Sequence, residues 1–168
     1  MRTSFTIALL TLCSAFVVIF ALAFDKPSVR VAPSAPGPRT LEDQTRTAVI
    51  KDYMASWNTM GQAFEANNPA LLDSEFVGSA REKLANTIED QRKAGIQTLY
   101  QDRSHDISLV FYSPEGLSVQ LLDTVEYDVK ILDHGKEQAS QHVRCRYVAV
   151  LTPTEVRWKV RIFQSSPS

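Results

Sequence analysis

The chain has 168 residues, 44% apolar and 22% charged, which is enough for one globular domain with a hydrophobic core. Its formal net charge of −1 provides no basic excess for phosphate backbones, so nucleic acid is excluded as an expected partner. Only two cysteines and three histidines occur, with neither a CxxC nor an HExxH pattern, so we expect no disulfide within the domain, no metal and no cofactor.

The N-terminal segment from Thr3 to Phe24 contains no charged residue and is long enough to cross a hydrocarbon core of about 30 Å as a helix. Because Arg2 precedes it, the positive-inside bias places the residues after Phe24 outside the cytoplasm, in the periplasm or at the cell exterior. The length favours an uncleaved signal anchor. The alternatives are a signal peptide cleaved after the small-x-small sequence 21–23, near Ala23, which gives a secreted protein, and a buried core helix.

Residues 25–39 form a proline-rich linker, with Pro27, Pro33, Pro36 and Pro38. Proline removes a backbone donor and biases the residue before it toward extended conformations, so we expect neither a helix nor a sheet ladder here. We interpret the linker as an extended spacer between the membrane segment 1–24 and a folded domain over residues 40–168.

Helical periodicity fills the first half of this domain. Thr40 is suited to cap a first helix, which ends before Pro69. A short helical turn is predicted over residues 69–73, and a further helix runs from about Gly78 to Ala94. The first helix carries an apolar stripe that we interpret as core rather than as an aromatic ligand site: Val49, Tyr53, Trp57, Met60 and Phe64.

The second half alternates between apolar and polar residues, which predicts strands. Their ranges are 103–112, 117–133, 138–151 and 155–164, with Leu117 and Val156 among the inward residues. Short turns between consecutive strands indicate antiparallel hairpins. Helices followed by strands give an α+β fold, with the helices packed on one face of a curved four-stranded antiparallel meander sheet.

This order of elements resembles the nuclear transport factor 2-like (cystatin-like cone) superfamily over residues 40–165. The resemblance rests on Trp57 in the long helix and on three strand sequences, VEYDV at 125–129, VRCRYV at 143–148 and VRWKVRI at 156–162. The ending is similar to the Tim44/plastid-division type, and a membrane helix before such a domain resembles the VirB8-type components of secretion machines. The resemblance implies a binding or assembly module, often a dimer through the outer sheet face, or a small isomerase, cyclase or dehydratase.

In the enzymatic members an Asp, His or Tyr inside the cone is used, and this sequence offers four candidates. Asp123 interrupts an apolar strand face, where a desolvated carboxylate could serve as a general base. Alternation places Tyr127, Tyr147 and His105 on inward faces as well. The alternative, which we favour, is a bulge near Leu122 that turns Asp123 outward.

The outward faces of the predicted strands carry charges of both signs. We interpret them as cross-strand ion pairs, each contributing about 0.2–1 kcal/mol. The alternative is a basic outer-sheet patch that binds an acidic partner. Its members would be Arg144, Arg146, Arg157, Lys159 and Arg161.

Two classes of function therefore remain. The first, which we favour because no catalytic motif has local support, is a non-catalytic interaction or assembly domain tethered outside the cytoplasm, with a protein partner or a second copy. The second is a small exported ligand-binding protein or an isomerase- or dehydratase-like enzyme with a cone pocket around Asp123. A filled interior would favour the first class, and an open cavity the second.

Overall fold

The computed structural model describes residues 26–33 and 39–166. The predicted membrane segment at residues 3–24 lies outside these ranges. None of the helices within the two ranges combines the length and the apolar character needed to span a membrane.

Three helical segments come first in the domain, in the predicted order. They are helix α1 (Asp43–Glu65), a 3₁₀ helix (Pro69–Ser74) and helix α2 (Gly78–Lys93). The predicted cap at Thr40 is wrong, because Glu42 occupies the N-cap position and makes no side-chain capping bond. The physical reason is that Leu41, only 6% exposed, packs into the core directly before this cap, whereas Thr40 is exposed and lies outside the helix.

The sheet has five strands in the order of the sequence: β1 (Ser28–Val31), β2 (Ile96–Tyr112), β3 (Val119–Asp133), β4 (Lys136–Pro153) and β5 (Trp158–Ser166). Strands β2 to β5 form the predicted antiparallel meander. Helices α1 and α2 pack on one face of the sheet. The predicted α+β class and the curved antiparallel sheet are confirmed, with one strand more than expected.

The additional strand, β1, shows that the expectation of no sheet ladder in the linker was wrong. Strand β1 pairs in parallel with β2, beginning with Ser28 beside Ser104. Pro27 and Pro33 flank the strand instead of interrupting it, so every residue of β1 keeps its backbone N–H. The linker therefore supplies an edge to the sheet.

The core lies between the two helices and the inner face of the sheet. The apolar stripe predicted for the first helix is buried throughout: Val49, Tyr53, Trp57, Met60 and Phe64. Two predicted inward residues are wrong, since Leu117 is 63% exposed and Val156 is 82% exposed. Both precede the strands to which they were assigned, which begin at Val119 and Trp158, and both lie in turns.

Two valines provide a matched test of this core. Val119 is fully buried, whereas Val156 is 82% exposed. We expect Val119→Ala to lower the free energy of unfolding by about 2 kcal/mol, because it loses two buried methyl groups and leaves a cavity. Val156→Ala should change it by less than about 0.5 kcal/mol. Urea denaturation measures both, and equal losses would contradict the assigned core.

Candidate functional site

Three polar side chains from three elements meet in the core, and we call them the polar cluster: Tyr53 of α1, His105 of β2 and Asp123 of β3. The Tyr53 hydroxyl donates to Asp123 Oδ2 at 2.9 Å. His105 Nδ1 lies 2.7 Å from the same oxygen. Tyr53 and Asp123 are 0% exposed and His105 is 1% exposed, so the polar cluster has no contact with solvent.

The strand register explains why two of these side chains meet. Ile107 lies directly opposite Asp123, and His105 is two residues from Ile107 on the same inward face. His105 and Asp123 are thus diagonal neighbours across an antiparallel pair, which long side chains can bridge. The favoured bulge at Leu122 is wrong, because β3 pairs regularly with both of its neighbours through this position.

The bulge that matters lies instead in β2, between Asp102 and Ser104. The extra residue, Arg103, contacts Asp128 on the outer side of the sheet. Asp102 Oδ2 lies 3.7 Å from His105 Nε2. The β2 bulge therefore provides a second carboxylate close to the imidazole.

The surroundings of His105 favour its charged form. Burial alone disfavours an imidazolium, but the carboxylates of Asp102 and Asp123 outweigh it and raise the pKa of His105 to about 9. Burial and the neighbouring Asp123 carboxylate raise the pKa of Tyr53 well above its usual value. At neutral pH the polar cluster is thus an imidazolium beside a carboxylate, with a neutral phenol as the second donor to that carboxylate.

An aromatic wall covers the polar cluster. The ring of Trp57 packs edge-on against His105, with centroids 5.2 Å apart, and against Tyr147 at the same distance. Tyr147 stacks on Phe163 at 4.8 Å. Its hydroxyl lies 3.2 Å from that of Tyr127, and burial together with this hydrogen bond raises the pKa of Tyr147.

Of the four predicted site residues, the structure therefore brings His105 and Asp123 together. Tyr127 and Tyr147 form a separate pair that contacts Trp57. Sequence reasoning missed Tyr53 as a member of the polar cluster. Its position in an apolar helical stripe gave no signal that distinguishes a hydrogen-bonding tyrosine from a packing one.

Three buried polar atoms around the polar cluster have no hydrogen-bond partner in the described part of the chain. They are His105 Nε2, Asp123 Oδ1 and Trp57 Nε1. Such atoms can accommodate water or a polar ligand, and the imidazole and the carboxyl are groups that transfer protons. Over residues 26–33 and 39–166 no group of three or more Cys, His, Asp or Glu side chains is arranged to hold a metal ion.

The outer face of the sheet shows the expected cross-strand pairs. Arg144 lies 3.6 Å from Glu126, and His142 Nδ1 lies 2.9 Å from Asp128. Arg103 also contacts Asp128, and the two interactions lower the pKa of that carboxyl. These exposed contacts stabilise the sheet modestly.

Three members of the predicted basic patch, one just before β5 and two on it, contact the segment that runs from the 3₁₀ helix into α2. Arg157 contacts Glu75, and Lys159 Nζ donates to the carbonyl of Asp73 at 2.8 Å. The carbonyl of Arg161 accepts from the Ser79 hydroxyl at 3.2 Å. Arg144 and Arg146, on β4, are exposed as predicted, and so is Arg161, whereas Arg157 and Lys159 are half-buried.

An open groove of about 490 Å³ lies between the 3₁₀ helix and the β4–β5 turn, and none of its lining residues belongs to the polar cluster. The exposed side chain of Val156 forms part of it. Its lining comes from Ser74, Val77, Thr154, Glu155, Val156, Arg157 and Lys159.

Comparison with solved structures identifies the fold. The intermembrane space region of the chloroplast protein ARC6 superposes with a TM-score of 0.65 at 13% identity, covering 77% of this chain and 100% of that one. A protein from Novosphingobium aromaticivorans, provisionally described as a scytalone dehydratase, gives a TM-score of 0.52 at 14% identity, covering 75% and 89%.

The chain therefore has the cone fold of the nuclear transport factor 2-like superfamily. At these identities the likeness shows the fold alone. No protein-family model matches the sequence. No curated protein matches it either.

The buried ion pair predicts a specific dependence of stability on pH. Because the pKa of His105 is about 9 in the folded state and about 6.5 when unfolded, its stabilisation is complete below pH 6.5 and is lost as the pH rises to 9. We expect wild type to lose about 3 kcal/mol more than His105→Gln between about pH 6 and about pH 9.5. Urea denaturation in a Cys145→Ser background measures this difference, and parallel pH profiles would refute the assigned protonation.

The hydrogen bond from Tyr53 offers a second test. Tyr53→Phe keeps the ring but removes one donor to the buried Asp123 carboxylate, so we expect a loss of about 1–3 kcal/mol in unfolding free energy. Tyr112→Phe is the matched control, since the Tyr112 ring is half-buried and packs against Arg39. If the two variants unfold at the same urea concentration, the Tyr53 hydroxyl is not a structural donor.

Proposed function

We propose that this protein is a non-catalytic interaction domain, tethered to a membrane by residues 3–24 and working on its non-cytoplasmic side. The observation that carries the proposal is the closed interior of the cone. Tyr53, His105 and Asp123 have at most 1% exposure, and Trp57, at 2%, packs against His105. Ligand sites are usually open clefts of about 300–1,000 Å³, whereas here side chains occupy the centre of the cone.

The arrangement of the whole chain supports the same proposal. An uncharged segment of membrane-spanning length precedes the domain, as in the VirB8-type and Tim44-type arrangements that the sequence resembles. The cone fold is shared with a region of ARC6 that lies in an intermembrane space. The expected partner is a protein of the same membrane or a second copy of the chain.

A ligand-binding protein or a dehydratase-like enzyme is the second candidate, and one observation favours it. His105 Nε2 and Asp123 Oδ1 have no hydrogen-bond partner among the residues described, so both could act on a substrate if Trp57 moved aside. The likeness to the protein provisionally described as a scytalone dehydratase is compatible with this use of the cone. His105 would then hold the proton and Asp123 would orient the imidazole.

A replacement of the chromosomal gene in the source organism distinguishes the two candidates. The double variant His105→Gln/Asp123→Asn removes the acid–base groups while keeping the volume of the core. We expect the double variant to support growth and to enter the same detergent-extracted complex as wild type. The amount in the complex should be proportional to the amount of folded protein, which protease resistance measures. Deletion of residues 40–168 is the control for complete loss.

If the double variant is folded at the wild-type level but behaves like the deletion, the interaction proposal is wrong. The polar cluster would then be catalytic or ligand-binding, and the second candidate would replace the first. Native mass measurement of the extracted complex gives an independent reading, since an interaction domain is expected to run with its partner and not alone.

A further inference from the structure

The sheet is attached very close to the proposed membrane anchor. Strand β1 begins at Ser28, and the uncharged segment ends at Phe24. Four steps of fully extended chain reach at most about 14 Å. If residues 3–24 span the bilayer, as proposed above, Ser28 lies within about 14 Å of its hydrocarbon edge.

Strand β1 is also firmly placed on the sheet. It runs parallel to β2 from Ser28, beside Ser104, to Val31, beside Ile107. The Ala32 N–H continues the ladder by donating to the Ile107 carbonyl at 2.8 Å. Strands β1 and β2 therefore run in the same direction along the sheet.

Strand β2 extends back past this attachment point. From Ser104 back to Ile96, β2 covers eight residue steps, or about 26 Å. This part of β2 extends beyond the N-terminal end of β1, on the side of the proposed anchor. Ile96 pairs with Asp133, so the β3–β4 turn lies at the same end. This end carries exposed Lys136 and Glu137, which the hydrocarbon core would not accept.

The two lengths limit the tilt of the sheet. If the strands stood perpendicular to the membrane, the roughly 26 Å of β2 between Ser104 and Ile96 would have to fit between Ser28 and the hydrocarbon. That space is at most about 14 Å high. Keeping the charged turn out of the hydrocarbon requires strands inclined by no more than about 30° to the bilayer plane. Near this limit the β3–β4 turn reaches the membrane surface, while the opposite end of the sheet rises away from it.

We propose that the domain is docked on the lipid surface through strand β1 and the β3–β4 turn, with the bilayer itself as the partner of this edge. The inference rests on the membrane anchor of the proposed function. The prolines from Pro33 onward follow β1 in the chain, so they cannot separate the domain from the membrane as a spacer would. Val29 and Val31, 40% and 41% exposed, and Arg30 give this edge the apolar and basic character that suits a headgroup region.

Fluorescence quenching in reconstituted vesicles tests the proposal. The full chain, with Cys13→Ser and Cys145→Ser, is labelled at Lys136→Cys or at Glu115→Cys, which lies in the turn at the opposite end of β2 and β3. The vesicles contain phosphatidylcholine and phosphatidylglycerol, with a spin label on the headgroups. We expect most of the fluorescence at position 136 to be lost and little at position 115. Weak quenching at both positions would overturn the proposal.

Two proline variants provide a matched control for the role of β1. Ala32 N–H points to β2, and alternate residues of a strand point the same way, so Arg30 N–H faces β2 and Val31 N–H faces away. Arg30→Pro should release β1 and abolish the quenching at position 136, while Val31→Pro should retain it. Wild-type quenching in Arg30→Pro would overturn the proposal.

Flotation of the vesicles separates the possible failures. Wild-type protein that does not float with the vesicles lacks the anchor, which refutes the tethered function and the docking together. Protein that floats but is quenched at neither position keeps its anchor and refutes the docking alone.

Discussion

The structure depends above all on one buried ion pair. His105 Nδ1 lies 2.7 Å from Asp123 Oδ2 in a core without solvent contact. The Tyr53 hydroxyl is a second donor to this oxygen. Removing either charge would leave the other desolvated and unpaired, which typically costs about 3–5 kcal/mol. Because the ion pair joins β2 to β3 and Tyr53 belongs to α1, the Tyr53 hydrogen bond attaches the long helix to the sheet at this point.

The same interaction constrains what the domain can do. Trp57 packs on His105 and also contacts Tyr147, so the helix that brings Tyr53 to the ion pair also fills the centre of the cone. Side chains therefore occupy the centre of the cone, which is the observation on which the proposed interaction function rests. Strand β1 then becomes important, because it connects the sheet edge directly to the proposed anchor.

The periodicity of the sequence predicted the helices, the meander and the core stripe, because packing against one layer imposes spacings of 3.6 and 2. It also marked Asp123 as a break in an apolar face. His105 was placed on an inward face as well, but its direct contact with Asp123 could not be predicted, since the diagonal approach depends on a register that one sequence does not show. Strand β1 was missed because the linker was judged by its proline content, although its prolines lie outside the four paired residues.

Hydrogen exchange of the His105 imidazole tests the central claim of a closed, charged core most directly. In ¹⁵N-imidazole NMR spectra at neutral pH, we expect a protonated ring whose Nδ1–H exchanges with solvent only through unfolding of the domain. Its exchange rate should therefore fall to the same extent as those of the most protected amides when stabilising osmolyte is added. A neutral ring, or an Nδ1–H that exchanges quickly while the neighbouring strand amides remain protected, would show an open pocket and contradict the account.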